Sequence, residues 1–207
     1  MSLTEENLQK YLPRYLSAEN YETLLQELKA FPDNMDHRMY TAGLEQNIIY
    51  QGDGIKNLPV VNLMDIEHNS VKNIPCLVLS NTCDMDIANK RPFPASMMYT
   101  PIVNMRTYIE NLTKYDISEQ KIASHIEALK QQKLTQIMYL PANAPQIEES
   151  IVFLDRILHI DNRFVKRENL DDLRLFSLSD YGFYLLIFKL SVHFSRIQEK
   201  VNRGSIH

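Results

Sequence analysis

Ile74-Pro75-Cys76-Leu77-Val78-Leu79-Ser80-Asn81-Thr82-Cys83-Asp84-Met85-Asp86 is the stretch on which the fold turns. Its first half is an apolar run of strand-forming residues and reads as a buried strand. Its second half is different in kind: a hydroxyl, an amide, a hydroxyl, a thiol and two carboxylates follow within one short turn. Such a cluster at the end of a buried strand serves as a reactive site, a metal site or a set of side-chain-to-backbone turns.

Working outward, the period-two pattern extends from Ile48 to Met105. Ile48-Ile49-Tyr50, Pro59 to Leu63, Pro75 to Leu79 and Ser96 to Val103 are short β-rich runs. Between them lie Gln51-Gly52-Asp53-Gly54, His68-Asn69-Ser70 and Lys90-Arg91-Pro92-Phe93-Pro94, all turn-forming. Short strands so closely spaced predict a small barrel or a strongly bent sheet. Asp116-Ile117-Ser118-Glu119 has the spacing of a capping box. It predicts an inserted helix over about Ser118 to Gln132, with Ile122, Ile126 and Leu129 as the buried stripe. Strand character resumes at Gln136 to Leu140, Ser150 to Ile157 and Leu173 to Ser177. Ser179-Asp180 then opens a helix running to near Val201, apolar on nearly every side from Tyr181 to Leu190 and hence buried. At the other end, Tyr21, Leu24, Leu25 and Leu28 repeat at helical spacing before Pro32. Residues 1–34 therefore read as a helical extension and 35–207 as one α+β domain.

Composition narrows the function classes. The 207 residues are 44% apolar and 23% charged, an ordinary globular mixture. A net charge of −4 supplies no broad positive field for phosphate, although a local basic groove stays compatible with it. Cys76 and Cys83 make no disulfide framework, which fits a reducing cytoplasm. The acidic start, Met1-Ser2-Leu3-Thr4-Glu5-Glu6, is not a secretory signal, and no apolar run is long enough for a bilayer span.

The order of these segments resembles the MazF/PemK-type toxins. Gln51-Gly52-Asp53 is similar to the glycine–aspartate pair that opens their barrel, and Ile74 to Ser80 to the strand that follows. Met98-Tyr99-Thr100-Pro101-Ile102 resembles their next strand, and Glu149 to Ile157 a later one. The resemblance implies an SH3-like barrel, metal-independent sequence-specific cleavage of RNA, and a homodimer restrained by an antitoxin. Two positions depart from the pattern. An arginine that precedes the strand proline in the family is Ile74 here, and the Thr or Ser after the proline–isoleucine pair is Val103. Neither side chain donates a hydrogen bond to phosphate or transfers a proton.

Several residues remain as candidates. Ser80, Asn81 and Thr82 suit turns after the strand, with Asp84 capping a helical turn. As a nucleophile, Cys83 needs a base brought by the fold, from His68, His125 or His159, because Asp84 and Asp86 disfavour a thiolate. A divalent ion, weakly held magnesium in preference to zinc, would use Asp84 and Asp86 with Asp53 and Asp155 as remote partners. Lys90 and Arg91 suit phosphate contacts with Phe93 as a stacking ring. Alternatively the loop is merely solvated and Phe93 tucks into the core between its two prolines, which the acidic balance favours. His193 reads as a boundary histidine and Asp180 as a helix cap.

The reading that follows is a non-catalytic binding module for a protein partner or nucleic acid, in a toxin–antitoxin or defence setting. Two alternatives stand beside it. One is an endoribonuclease whose site is rebuilt from Arg91 with Ser80, Thr82 or Asp84. The other is an enzyme centred on Cys83 and Asp84.

Overall fold

The computed structural model describes residues 38–61, 70–93 and 95–195. The expected N-terminal helices, the end of the C-terminal helix and His68 lie outside the described residues. Among these residues eight strands form one antiparallel sheet: β1 (Tyr40–Thr41), β2 (Gly54–Val61), β3 (Val71–Val78), β4 (Ser96–Asn104), β5 (Ile137–Leu140), β6 (Ser150–Phe153), β7 (Leu158–Asp161) and β8 (Arg174–Leu178). Among the described residues four helices accompany them: α1 (Met105–Leu112), α2 (Glu119–Lys130), the single turn α3 (Leu170–Leu173) and α4 (Asp180–Ser195). The architecture is α+β.

β3 explains the opening stretch. Leu77 and Leu79 face a core built with β5, β6, α2 and α4, whereas Cys76 and Val78 face a second core with Ile55, Leu58, Met97, Tyr99 and Leu170. A strand covered on both faces has no solvent side, so its apolar run is unbroken. Cys76 is fully buried and burial pushes its thiol up to about 12, as expected of a packing residue.

Strand order is β1-β8-β2-β3-β4-β6-β5, with β7 also paired to β4. β3 stays with β4 only from Cys76↔Pro101 to Val78↔Tyr99. On its other edge β4 meets β7 over Ser96–Tyr99 and β6 over Ile102–Asn104, so residues 154–157 interrupt one long ribbon. Among the described residues no backbone pairing joins β1 to β5, so the sheet is open and its closure into the expected small barrel is not seen. A side chain spans the gap: Tyr40 Oη donates to the Pro141 carbonyl at 2.7 Å. At the β5 edge the Gln132 amide acts as a surrogate strand residue. It donates to the Tyr139 carbonyl at 2.6 Å and accepts from the Tyr139 N–H at 3.1 Å.

Three local expectations need correction. Ile48-Ile49-Tyr50 is not a strand, because side chains take its backbone groups: the Tyr50 N–H donates to Asp53 at 2.9 Å and Arg174 donates to the Ile48 carbonyl. The capping box does not form; α2 starts two residues later than Asp116 requires, with Ser118 at the cap position and no side-chain bond there. An unexpected helix, α1, follows β4 and is capped by Asn104, whose side chain accepts from the Arg106 and Thr107 amides. α4 starts where expected, with Ser179 Oγ accepting from the Gly182 N–H at 3.2 Å. Gly182 is required there because a Cβ would lie 2.4 Å from the Met39 carbonyl. Within α4, Tyr181, Tyr184, Leu185, Leu186 and even Lys189 are buried. Lys189 Nζ donates to the Gln132 and Leu134 carbonyls at 3.0 and 2.8 Å, and burial brings its pKa down to about 7.

Candidate functional site

The polar elbow after β3 is stitched to the turn before β2. Gly52, at φ 92°, lets the chain turn back so that its N–H donates to the Val78 carbonyl at 2.9 Å. Gln51 follows suit: its N–H donates to Thr82 Oγ1 at 3.0 Å and its Nε2 to the Leu79 carbonyl at 2.7 Å. Ser80 is buried and bridges to β4, accepting from the Met98 N–H at 2.8 Å and donating to the Ser96 carbonyl at 3.3 Å. Asn81 Oδ1 accepts from the Cys83 N–H at 2.9 Å, and Asp86 Oδ1 from the Ala88 N–H at 2.8 Å. These are Asx turns at both ends of the single 3-10 turn Cys83–Met85. Met85 anchors that turn in the second core, a burial of about 1.5–3 kcal/mol. Its carbonyl accepts from Asn162 Nδ2 at 2.6 Å and from Arg167 at 3.1 Å.

Asp84 accepts from Arg91 at 2.5 Å in an exposed ion pair. Cys83 is exposed, and its carbonyl accepts from Asn89 Nδ2 at 2.7 Å. Of the histidines considered as its base, His125 is bonded through Nε2 to Tyr108 Oη at 2.8 Å, in the α1–α2 region. His159 lies on β7 across from Met98. Of the remote metal partners, Asp53 is fully buried and already accepts from Ser177 Oγ at 2.6 Å, the Tyr50 N–H and Arg174 at 3.1 Å. Burial pushes its carboxyl above the ordinary aspartate value against the pull of those partners. Asp155 is exposed at the interruption between β6 and β7. Among the described residues no three His, Cys, Asp or Glu side chains converge on a point, so the Asp84/Asp86/Asp53/Asp155 set is not assembled.

Phe93 is where the structure departs furthest from expectation. It is 82% exposed and does not enter the core. With Ile87, itself 64% exposed, it lines a cleft of about 280 Å³ whose other wall is Asp161, Asn162 and Arg163. Lys90 is exposed in the same loop. The guanidinium groups here are not free fields: Arg91 is paired with Asp84, and Arg163 is gripped by both Asp161 oxygens at 2.9 and 2.7 Å. That grip holds Asp161 well below the usual carboxylate range. Arg91 and Arg163 are thus matched by Asp84 and Asp161.

Ile74 and Val103, at the two departing positions, are half-buried against different cores, Ile74 with Cys76 and Val103 with Ile102. Sequence reasoning missed Ile87, Asp161, Asn162 and Arg163, which a strand end only joins to the Phe93 loop in three dimensions. It also missed the Tyr108–His125 contact. Arg156 lies 3.8 Å over the Phe153 ring nearby, and Phe153 packs edge-on to Tyr108. Among the described residues no helix is long and apolar enough to cross a membrane. Compared with known protein families and with curated proteins, the chain matches none.

Proposed function

We propose that this protein is a non-catalytic binding module on a MazF/PemK-like barrel scaffold, and that the Phe93–Ile87 cleft is its contact face for a protein partner. The observation that carries this reading is a division of labour in the elbow. Ser80, Asn81, Thr82, Asp84 and Asp86 each spend a side-chain oxygen on a bond within the protein, while Phe93 stands in solvent. An exposed aromatic ring beside a cleft is the usual anchor of a binding surface. The order of strands, the Asp53 hub after Gly52 and the Tyr40–Pro141 link across the open ends support the barrel scaffold. The apolar Ile74 and Val103 argue against inherited cleavage. A toxin–antitoxin or defence setting follows from the resemblance.

Protein is favoured over nucleic acid by charge. The cleft is lined by two acidic and two basic side chains, Asp86 and Asp161 against Arg91 and Arg163, and phosphate binding depends on an excess of cations. One observation favours the second reading, single-stranded RNA: a free aromatic face next to Arg91 and Arg163 is the geometry on which bases stack. A photo-crosslinking amino acid placed at position 93 separates the two in cells. A protein adduct supports the proposal; an RNA adduct promotes the second reading, and no adduct sinks both. Purified protein is expected to leave RNA uncut, and cleavage abolished by Arg91→Ala would establish the rebuilt endoribonuclease instead.

A further inference from the structure

A second cleft, of about 680 Å³, lies between α1 and the β5–β6 connection, lined by neither Phe93 nor any elbow residue. Its volume is that of sites which enclose a ligand or a few side chains. Met105, Ile109, Pro145 and Ile147 give it an apolar floor. Its outer wall is stiff, because the Asn143 N–H donates to the Ile147 carbonyl at 2.8 Å and the reverse bond closes at 3.1 Å.

The mouth carries a carboxylate that is held but not neutralised. Asn104 Nδ2 donates to Glu148 Oε2 at 2.7 Å, while Asn104 Oδ1 accepts from the Arg106 and Thr107 amides at 2.8 and 3.4 Å. A residue already fixed as a helix cap therefore fixes Glu148. Among the described residues Glu148 has no ion-pair partner. Glu149 beside it does: it accepts from Lys130 at 2.6 Å and from Tyr139 Oη at 2.5 Å. Burial opposes ionisation of Glu149, yet those two donors leave it below the ordinary glutamate value. Its charge is answered from within.

An anion is not what this cleft suits. The first amides of α1 are occupied, Met105 N–H by the Glu149 carbonyl at 2.8 Å and the next two by Asn104. At the rim, Glu110 and Glu148 outnumber Arg106. We infer that the cleft binds a peptide segment in which an apolar side chain neighbours a lysine or arginine, the first seated on Met105, Ile109 and Ile147, the second on Glu148. Charge complementarity at the rim sets the choice of peptide, and apolar contact with the floor supplies the remaining affinity.

The test is selection of a displayed random peptide library on the full chain. Enriched peptides are synthesised and their Kd measured by fluorescence anisotropy against wild type, Glu148→Gln and Phe93→Ala. Glu148→Gln keeps an acceptor for Asn104 and removes only the charge. The expected result is enrichment of basic–apolar peptides that bind Glu148→Gln about tenfold more weakly and Phe93→Ala unchanged. Enrichment of acidic peptides, equal affinity for Glu148→Gln, or no enrichment overturns the inference. Peptides lost with Phe93→Ala but kept by Glu148→Gln overturn it too, and assign the binding to the other cleft.

Discussion

Among the aspartate–arginine pairs of the described residues, Asp84–Arg91 and Asp53–Arg174 do opposite jobs. Asp84 and Arg91 approach to 2.5 Å with side chains 61% and 43% exposed; Asp53 and Arg174 sit at 3.1 Å with 0% and 12% exposed. The shorter contact is the weaker one. Water screens the Asp84–Arg91 pair and two mobile side chains must be ordered to make it. Asp53 is taken out of water altogether, so its bonds to Ser177, Tyr50 and Arg174 are the only solvation it has. Those bonds tie the turn before β2 to β8, while Arg174 reaches on to the Glu45 and Ile48 carbonyls. Exposure, not distance, separates a structural pair from a surface one.

Breaking the buried member gives the largest effect. Asp53→Ala leaves Arg174 without its counter-charge and is expected to cost about 3–5 kcal/mol in chemical denaturation. Stability unchanged by that substitution would remove Asp53 as the hub of the fold.

A sharper test uses a buried charge with no counter-ion among the described residues. Burial brings the pKa of Lys189 down to about 7, against 10.5 for a solvated lysine. The unfolded state binds more protons between those values, so the charge penalty present at lower pH is relieved as pH rises. Wild-type stability is therefore expected to climb between about pH 7 and 9 relative to Lys189→Met, by on the order of 2 kcal/mol. Higher pH is avoided because raised pKa values of Cys76, Tyr99 and Tyr108 act in the opposite direction. Parallel stability–pH curves for the two proteins would mean that Lys189 ionises freely.

The exposed pair is expected to be nearly silent. Asp84→Ala should change stability by no more than about 1 kcal/mol, and less still in high salt. Phe93→Ala should fall within about 0.5 kcal/mol of wild type, as for a side chain with little to lose on unfolding. A thermal shift of several degrees for Phe93→Ala would show a packing role that its exposure does not reveal.

Legibility in the sequence followed the same line between local and distant partners. β3, β4, β6, β8, α2 and α4 were readable because their apolar periodicity reports which faces are covered. Ile48-Ile49-Tyr50 was misread because strand-like side chains say nothing about Arg174, which arrives from far along the chain to take a backbone carbonyl. α1 was missed because Thr107, Tyr108 and Ile109 suit strands, and only the cap at Asn104 signals otherwise. In the elbow, the local turns at Asn81 and Asp86 were legible. Whether Phe93 enters the core or the solvent was not legible, because it depends on packing from distant parts of the chain and not on the residues beside it; it is 82% exposed.

Gln132 sets a limit on how this sheet meets other chains. By occupying the outward-facing N–H and carbonyl of Tyr139, its amide denies an incoming polypeptide the two bonds that would start a ninth strand. A terminal strand made of Ile137, Met138, Tyr139 and Leu140 would otherwise be an aggregation template, so one amide side chain acts as the stopper at that end of the molecule.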